Sequence, residues 1–340
     1  MTFDSFRIRR SGSRRALLRA CLPLAAAVAT WTAGSVQAQD SAQAYPSKMI
    51  RITVPNPPGG TSDVLARLLA KELGSSLKQT VVVENKAGAN GHIGASYVAK
   101  SAPDGYNLLL LDMSVLTIGP GVMPQLNYDP VRDLAPIAIP AYSPHLLVVR
   151  NDLPASNLDE LTRYAKSSGQ PLSFGTPLAA ISQLAGVVLA QNRGFELNVI
   201  GYKGGAQALA DLAGGQIDSA MASVLATAPL VQGGKVKAVA VTSAQRFSTI
   251  PNVPTVAETI PGFVTGSWQG LLAPAGTPQA ILDKLEAEIH RIVAQPEIRQ
   301  RLQELGSEPV GKNRTEISQW MKEETVRWGK VVKDNNIKAD

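Results

Sequence analysis

Residues 49–67 read Met-Ile-Arg-Ile-Thr-Val-Pro-Asn-Pro-Pro-Gly-Gly-Thr-Ser-Asp-Val-Leu-Ala-Arg, and they predict a strand, a loop and a helix in immediate succession. Ile50, Ile52 and Val54 alternate with polar residues, which is the period of a strand buried on one face. The prolines that follow end the strand because proline donates no hydrogen bond to a sheet. Two glycines then lead into Thr61 and its polar neighbours, which are residue types favoured at a helix N-terminus.

This glycine loop is a candidate anion site. The first amide groups of the predicted helix are left without partners, and together with the helix dipole they attract carboxylate or phosphate. The loop lacks the lysine of the Gly-x-x-x-x-Gly-Lys-Ser/Thr motif, so nucleotide hydrolysis is not indicated. Asp63 is expected to bond the loop backbone or cap the helix. A tight turn without any ligand is the alternative interpretation of the loop.

Residues 1–38 predict an export signal. Six arginines precede the apolar run 20–33, and small residues up to Ala38 offer a cleavage site. Residues 13–19 read Ser-Arg-Arg-Ala-Leu-Leu-Arg, which resembles the twin-arginine export motif. The prediction is therefore a periplasmic protein exported by the twin-arginine route, and an arginine-rich Sec signal is the alternative.

Removal of the leader changes the charge balance. It takes away six arginines and Asp4, so the 33 basic and 27 acidic residues fall to 27 and 26. The remaining net charge, about +1, excludes a strongly basic nucleic-acid surface, and no nucleic-acid partner is expected. The only cysteine, Cys21, also leaves, so no disulfide or thiol site is possible. The three histidines lack metal-ligand spacing, and no metal or cofactor is expected.

Short apolar strands alternate with helical patterns along the remaining 302 residues of the 340, which indicates an α/β fold of about two domains with largely parallel sheets. Three further loops of small residues, 88–91, 175–177 and 203–205, each join a strand to a helix. Ligands of open α/β sheets bind beyond the carboxyl ends of the strands, where such loops meet. The pattern predicts one cleft lined by helix N-termini from two lobes.

Several ordered motifs carry a family resemblance. They are Val-Pro-Asn-Pro-Pro-Gly-Gly-Thr-Ser-Asp at 54–63, Val-Val-Val-Glu-Asn-Lys-Ala-Gly-Ala-Asn-Gly at 81–91, Asp-Leu-Ala-Gly-Gly-Gln-Ile-Asp at 211–218 and Trp-Gln-Gly-Leu-Leu-Ala-Pro-Ala-Gly-Thr-Pro at 268–278. On the basis of these motifs, residues 45–328 resemble the Bug-type receptors of tripartite tricarboxylate transporters. The resemblance implies a two-lobed, type II-like periplasmic binding protein and not an enzyme. It also implies a receptor that captures a small organic carboxylate and delivers it to membrane permease subunits. We expect the receptor to be a monomer.

The resemblance implies a first lobe of residues 39–148 plus 246–340 and a second lobe of residues 149–245. It implies a hinge near 146–149 and 239–243. Most of the candidate ligand-binding residues are expected to act through backbone amides and hydroxyl groups. They are Gly59, Gly60, Thr61, Asp63, Ala89, Asn90 and Ser114 in the first lobe and Thr176, Ser182, Gly204, Gly205, Ala206 and Ser223 in the second.

Departures from the family pattern bear on the ligand. Leu178 and Ala180 replace two glycines, Gln183 replaces a histidine, and the side chains at 178 and 180 are expected to narrow the second lobe's wall of the cleft. Ser223 stands where relatives often carry an acid, so an ammonium group on the ligand would lack a counter-charge. The hypothesis is a carboxylate without an amine, or one with a neutral apolar body.

Two other functions remain open. A receptor that reports ligand occupancy to a sensor kinase would use the same cleft, and an exported hydrolase or lyase is the third candidate. No Gly-x-Ser-x-Gly nucleophile motif is present in the sequence. His92 could border the pocket, and His145 could lie at the hinge or have no role.

Overall fold

The computed structural model describes residues 45–123 and 125–338. The predicted export signal, residues 1–38, lies outside the described residues. The described residues from Lys48 onward belong to one compact unit.

The described strands and helices alternate as the sequence predicts. The strands are β1 (Ile50–Val54), β2 (Val81–Asn85), β3 (Asn107–Asp112), β4 (Leu134–Arg150), β5 (Leu172–Pro177), β6 (Leu197–Tyr202), β7 (Ser219–Ser223), β8 (Val236–Val241) and β9 (Gly266–Pro274). The helices are α1 (Thr61–Leu77), α2 (His92–Ala99), α3 (Ser114–Val122), α4 (Leu158–Ser167), α5 (Ile181–Arg193), α6 (Gly205–Ala213), α7 (Val224–Gln232), α8 (Gln279–Ala294), α9 (Pro296–Glu304) and α10 (Arg314–Asp334). None of these described helices combines the length and apolar character that spanning a bilayer requires.

The strands form two sheets that share β4. The first has the order β2-β1-β3-β9-β4, and the second has the order β6-β5-β7-β4 with β8 also paired to β4. Parallel pairs form the outer part of each sheet, whereas β4 runs antiparallel to β9, β7 and β8. This arrangement confirms the predicted α/β fold with two lobes, each a sheet flanked by helices.

The long strand β4 passes from one lobe to the other at a defined residue. Up to Pro144 it pairs with β9, and from His145 onward it pairs with β7 and β8. The return passage lies beside it, because the amide of Thr242 donates to the carbonyl of His145 and the amide of Thr265 donates to the carbonyl of Thr242. The two chain crossings are therefore hydrogen-bonded to each other.

The predicted strand, loop and helix of residues 49–67 are observed as β1 and α1. Leu65, Leu69 and Leu73 lie on the buried face of α1. Burial of a leucine side chain contributes roughly 1.5–3 kcal/mol, so this stripe fixes the helix on the sheet. In the second lobe, the Asn157 side chain accepts from the amide of Glu160 and defines the start of α4.

The segment after β8 packs with the second lobe. Phe247 belongs to the apolar cluster of Leu146 and Val148, and Phe263 belongs to the cluster of Val149. The lobe boundaries predicted at 148/149 and 245/246 stay a prediction, and this packing favours extending the second lobe to about residue 265.

A second contact joins the lobes away from the strand crossings. Ile181 and Leu184 of α5 share an apolar cluster with Trp328 and Val332 of α10. The Gln191 side chain also donates to the Asn335 side chain at 2.6 Å.

Candidate functional site

A cavity of about 200 Å³ lies between the two lobes. The first lobe contributes residues around β1, α2 and α3, and the second lobe contributes the loop between β5 and α5. Its volume equals that of about seven water molecules, which suits a small organic ligand. The lining residues are Asn56, Asn90, His92, Ser114, Val115, Ile118, Gly119, Val122, Met123, Pro177, Leu178, Ala179 and Ala180.

The lining divides by polarity. Asn56, Asn90 and Ser114 supply hydrogen-bonding groups, whereas α3 presents apolar side chains such as Val115 and Ile118. Among the described residues that line the cavity, none carries a permanently charged side chain. Hydrogen bonding at one side and apolar contact at the other is the usual composition of a small-molecule site.

The second lobe's side of the cavity is built from the residues that depart from the family pattern. Ala179 has a φ of 55°, and its amide donates to the Gln183 side chain at 2.6 Å. The Gln183 side chain thus holds a turn that side-chain-bearing residues seldom adopt. Leu178 packs over Gly201 of β6, where a Cβ would lie 2.8 Å from the leucine Cγ. Leu178 and Ala180 therefore do form part of the wall.

Thr176 and Ser182 flank this wall, outside the residues that line the cavity. Their hydroxyl groups are 2.7 Å apart and hydrogen-bond to each other. Both residues are buried, Thr176 completely. This pair connects the end of β5 to the first turn of α5 and supports the loop that faces the cavity.

The first glycine loop is held by Asp63. Its carboxylate accepts from Arg67 at 2.9 and 3.0 Å, from the amide of Gly59 and from the Asn85 side chain. The hydrogen bonds from Arg67 are the main cause that lowers the pKa of Asp63 to about 2. Asp63 is 3% exposed, and the expected bond to the loop backbone is observed.

Of the predicted set, Asn90 and Ser114 meet at the cavity. Ala89 lines a neighbouring groove, described below as the α2 groove, together with His92, Tyr97 and Lys100. The remaining predicted residues lie outside the cavity lining: Gly59 and Gly60 on the exposed loop before α1, Thr61 in a small hollow against Leu225 and Leu302, and Gly204, Gly205, Ala206 and Ser223 at the starts of α6 and α7. Their roles in ligand binding stay predictions.

The helix N-termini around the strand ends share one property. Within the described part of the chain, α1, α2, α5, α6 and α7 begin without a side-chain hydrogen bond to their first amides. By contrast, α4 and α10 each begin with an asparagine side chain that accepts such a bond. Uncapped N-termini leave amide donors available to an anion.

His92 was a possible pocket residue, and it does border the cavity. Its Nδ1 lies 2.8 Å from the hydroxyl of Tyr128, and its ring packs against Gly119, where a Cβ would be 2.4 Å from Cε1. Burial lowers the pKa of His92 below its ordinary value of 6.5.

His145 lies where β4 changes partners, at the position considered for a hinge residue. Burial lowers the pKa of His145 to about 4. Its Nδ1 is buried and meets no hydrogen-bond partner among the described residues.

Sequence reasoning missed the apolar part of the site. Val115, Ile118 and Val122 of α3, and Met123 at its C-terminal end, come soon after the predicted Ser114. An apolar run of this kind also fits a buried helix. The position of α3 in the sequence could have indicated its role, because α3 begins immediately beyond the carboxyl end of β3, where ligands of α/β sheets bind.

Comparisons with known proteins agree with this arrangement. The family model described as "Tripartite tricarboxylate transporter family receptor" matches residues 65–337. Protein BugT of Bordetella pertussis is 35% identical over 310 residues, which cover 90% of this chain and 95% of BugT.

Two solved structures from Rhodopseudomonas palustris are similar over nearly the same extent. Rpa4515 with adipate is 33% identical with a TM-score of 0.78, and the match covers 86% of this chain and 99% of that chain. MatC with bound malate is 32% identical with a TM-score of 0.73, covering 85% and 100%. The Bug-type resemblance is confirmed, and the chain belongs to the tripartite tricarboxylate transporter receptor family.

Proposed function

We propose that this protein is a periplasmic solute-binding receptor that captures a small carboxylate between its lobes and delivers it to a tripartite tricarboxylate-type membrane transporter. The observation that carries the proposal is the interlobe cavity, which combines hydrogen-bonding side chains with an apolar wall. Family membership supports the receptor role. The relatives solved with adipate and with malate support a carboxylate as the ligand class.

The composition of the cavity narrows the proposed ligand. Asn56, Asn90 and Ser114 can donate to a carboxylate, while none of the described residues in the lining offers a carboxylate to an ammonium group. The wall formed by α3 and Leu178 favours a neutral apolar body. The ligand we propose is therefore a carboxylate without an amine, and tight binding of aspartate or glutamate in calorimetry would contradict this.

The proposed mechanism is closure of the two lobes on the ligand. The hinge we propose consists of the two crossings at His145 and Thr242, whose backbones bond to each other. Closure removes water from the cavity and strengthens each hydrogen bond to the ligand because the local dielectric falls. A closed, ligand-bound form differs in shape from the open form and can be recognised by permease subunits.

A thermal-shift screen of mono-, di- and tricarboxylates and aromatic acids tests the binding function. A ligand present at 100 times its Kd stabilises the folded state by about 2.7 kcal/mol. Leu178→Trp, which fills the cavity from its second-lobe side, is expected to abolish the shift. The matched control is Val326→Trp on α10, where the side chain is 76% exposed. Absence of a shift with every acid would refute carboxylate capture.

Uptake measurements test delivery. Cells that lack this protein are expected to lose uptake of the carboxylate found in the screen, and loss of the permease should have the same effect. Normal uptake together with a lost transcriptional response would instead favour the sensor function. Turnover of the bound acid by the purified protein would favour an enzyme.

The export route is a further proposal, and it rests on residues 1–38 alone. Fusing these residues to a reporter protein and replacing Arg14 and Arg15 by lysine should block export, because the twin-arginine route requires the arginine pair. Continued export of the lysine variant would identify a Sec signal.

A further inference from the structure

His92 is the one ionisable side chain among the described residues that line the interlobe cavity. The other lining residues are asparagines, serine, glycine, proline and apolar residues, whose side chains keep the same charge at every pH of interest. Any proton exchange between this lining and a bound ligand therefore falls on His92.

The surrounding structure fixes the orientation of the imidazole. Nδ1 is occupied by the Tyr128 hydroxyl at 2.8 Å. The opposite edge, with Cε1 and Nε2, lies against Gly119, another lining residue, where a Cβ would be 2.6 Å from Nε2. The ring thus has Nδ1 anchored on Tyr128 and its Cε1–Nε2 edge packed on Gly119, and both His92 and Gly119 line the cavity.

Few charged groups lie near this ring. The packed helix α3 contains none, and the first lobe's strand β9 contains none. Tyr128 is in direct contact, and Asp129 follows it but bonds the amides of Val131 and Arg132.

The remaining ionisable groups belong to neighbouring strands and to the α2 groove. Burial raises the pKa of Asp112 at the end of β3, where its carboxyl accepts from the amide of Ser114. Arg51 of β1 pairs with Glu84, and Tyr97 and Lys100 line the α2 groove. Among the described residues that line the cavity with His92, none carries a carboxylate to compensate an imidazolium.

We propose that His92 contacts the carboxylate bound in the interlobe cavity and takes up one proton when that carboxylate binds, so that affinity increases as the pH falls. This inference deepens the proposed function and rests on it. In the bound state Nδ1–H donates to the Tyr128 oxygen and Nε2–H donates to the ligand carboxylate. The transferred proton comes from solvent, and no covalent bond forms.

The direction of the effect follows from electrostatics. Without ligand, burial disfavours the charged imidazole, whereas a carboxylate within hydrogen-bonding distance favours it. A ligand that raises the pKa of His92 by one pH unit binds tenfold more tightly below both pKa values than above them.

Proton NMR of the histidine Cε1–H groups tests the inference on the unmodified protein. Each resonance is titrated from pH 5 to 8.5 without ligand and with adipate, malate, acetate or benzoate, and His92→Gln identifies the His92 resonance. We expect an increase of at least one pH unit in the pKa of His92 with every acid that stabilises the protein in the thermal-shift assay. The Cε1–H resonance of His145 serves as an internal control and should stay close to that of a neutral imidazole over this range, because burial lowers the pKa of His145 to about 4.

Calorimetry provides the second measurement. The Kd of the stabilising acid should be several-fold lower at pH 6 than at pH 8 in the wild type and in His290→Gln. In His92→Gln the two Kd values should be nearly equal. A stabilising acid that leaves the pKa of His92 unchanged, or a pH dependence that survives in His92→Gln, overturns the inference while the receptor function stands. If no acid of the full thermal-shift screen stabilises the protein, the inference falls together with carboxylate capture.

Discussion

Replacing His145 by methionine removes the titratable group at the point where β4 passes between the lobes. Methionine has an apolar, adaptable side chain, and Nδ1 of His145 meets no hydrogen-bond partner among the described residues. At neutral pH the variant is therefore expected to fold with a stability close to that of the wild type.

His145→Met is expected to become more stable than the wild type when the pH falls. The pKa of His145 is about 4 in the folded protein, against 6.5 in an unfolded chain. The unfolded state consequently binds more protons between these two values, and stability decreases as the pH falls through that window. A difference of about 2.5 pH units at 1.36 kcal/mol each corresponds to about 3 kcal/mol. The His145 side chain is 6% exposed, so solvent screening removes little of this free-energy difference.

Melting temperatures measured by circular dichroism from pH 7.5 to pH 4 test the prediction. At about 2 °C per kcal/mol for a chain of this size, His145→Met should gain about 6 °C on the wild type as the pH falls. Other groups, including Asp63 and His92, titrate in both proteins, so their effects cancel in the difference. His290→Met serves as the matched control. Parallel melting curves for His145→Met and wild type across the whole range would refute a buried, neutral His145.

Three further substitutions give separate outcomes. Asp63→Ala removes the acceptor that holds the first glycine loop and should cost about 2 kcal/mol in urea unfolding at pH 7; an unchanged midpoint would contradict the observed bonding. Gln183→Ala frees the amide of Ala179 and should weaken carboxylate binding several-fold in calorimetry with a small change in melting temperature; unchanged affinity would mean that this loop does not shape the site. Gly119→Ala places a methyl group against the ring of His92 and should destabilise the protein by about 1–3 kcal/mol in urea; a neutral effect would show that the ring is free to move.

The outer strands and their helices could be predicted because the local pattern of apolar residues there matches the structure that the fold requires. Ile50, Ile52 and Val54 alternate as a strand should, and the glycine loop beyond them leads into α1 at Thr61. In these segments burial and propensity favour the same structure.

The long central strand could not be predicted in full. β4 begins at Leu134 and includes Pro136, Pro140 and Pro144. Proline argues against an interior strand because it donates no hydrogen bond. The structure accommodates Pro136 and Pro140 with register shifts between β4 and β9 near residues 136–141, and such irregularities leave no local sequence signal.

The candidate site was predictable in part. Asn90 and Ser114 follow strand ends, so topology alone brings them together. On the second lobe, Leu178 and Ala180 were expected in the wall and do line the cavity, whereas Thr176 and Ser182 lie outside its lining. The positive φ of Ala179 and its bond to Gln183 shape that loop, and neither can be read from residue types.

The paired crossings at His145 and Thr242 have a consequence for how this family can diversify. The second lobe is one uninterrupted stretch of chain whose entry and exit lie side by side, since Thr265 bonds Thr242 and Thr242 bonds His145. Exchanging this stretch at its two junctions therefore brings a new loop at positions 177–180 opposite an unchanged Asn90 and Ser114. Chimeras of related receptors that are joined at these two junctions are thus a direct route to new ligand preferences.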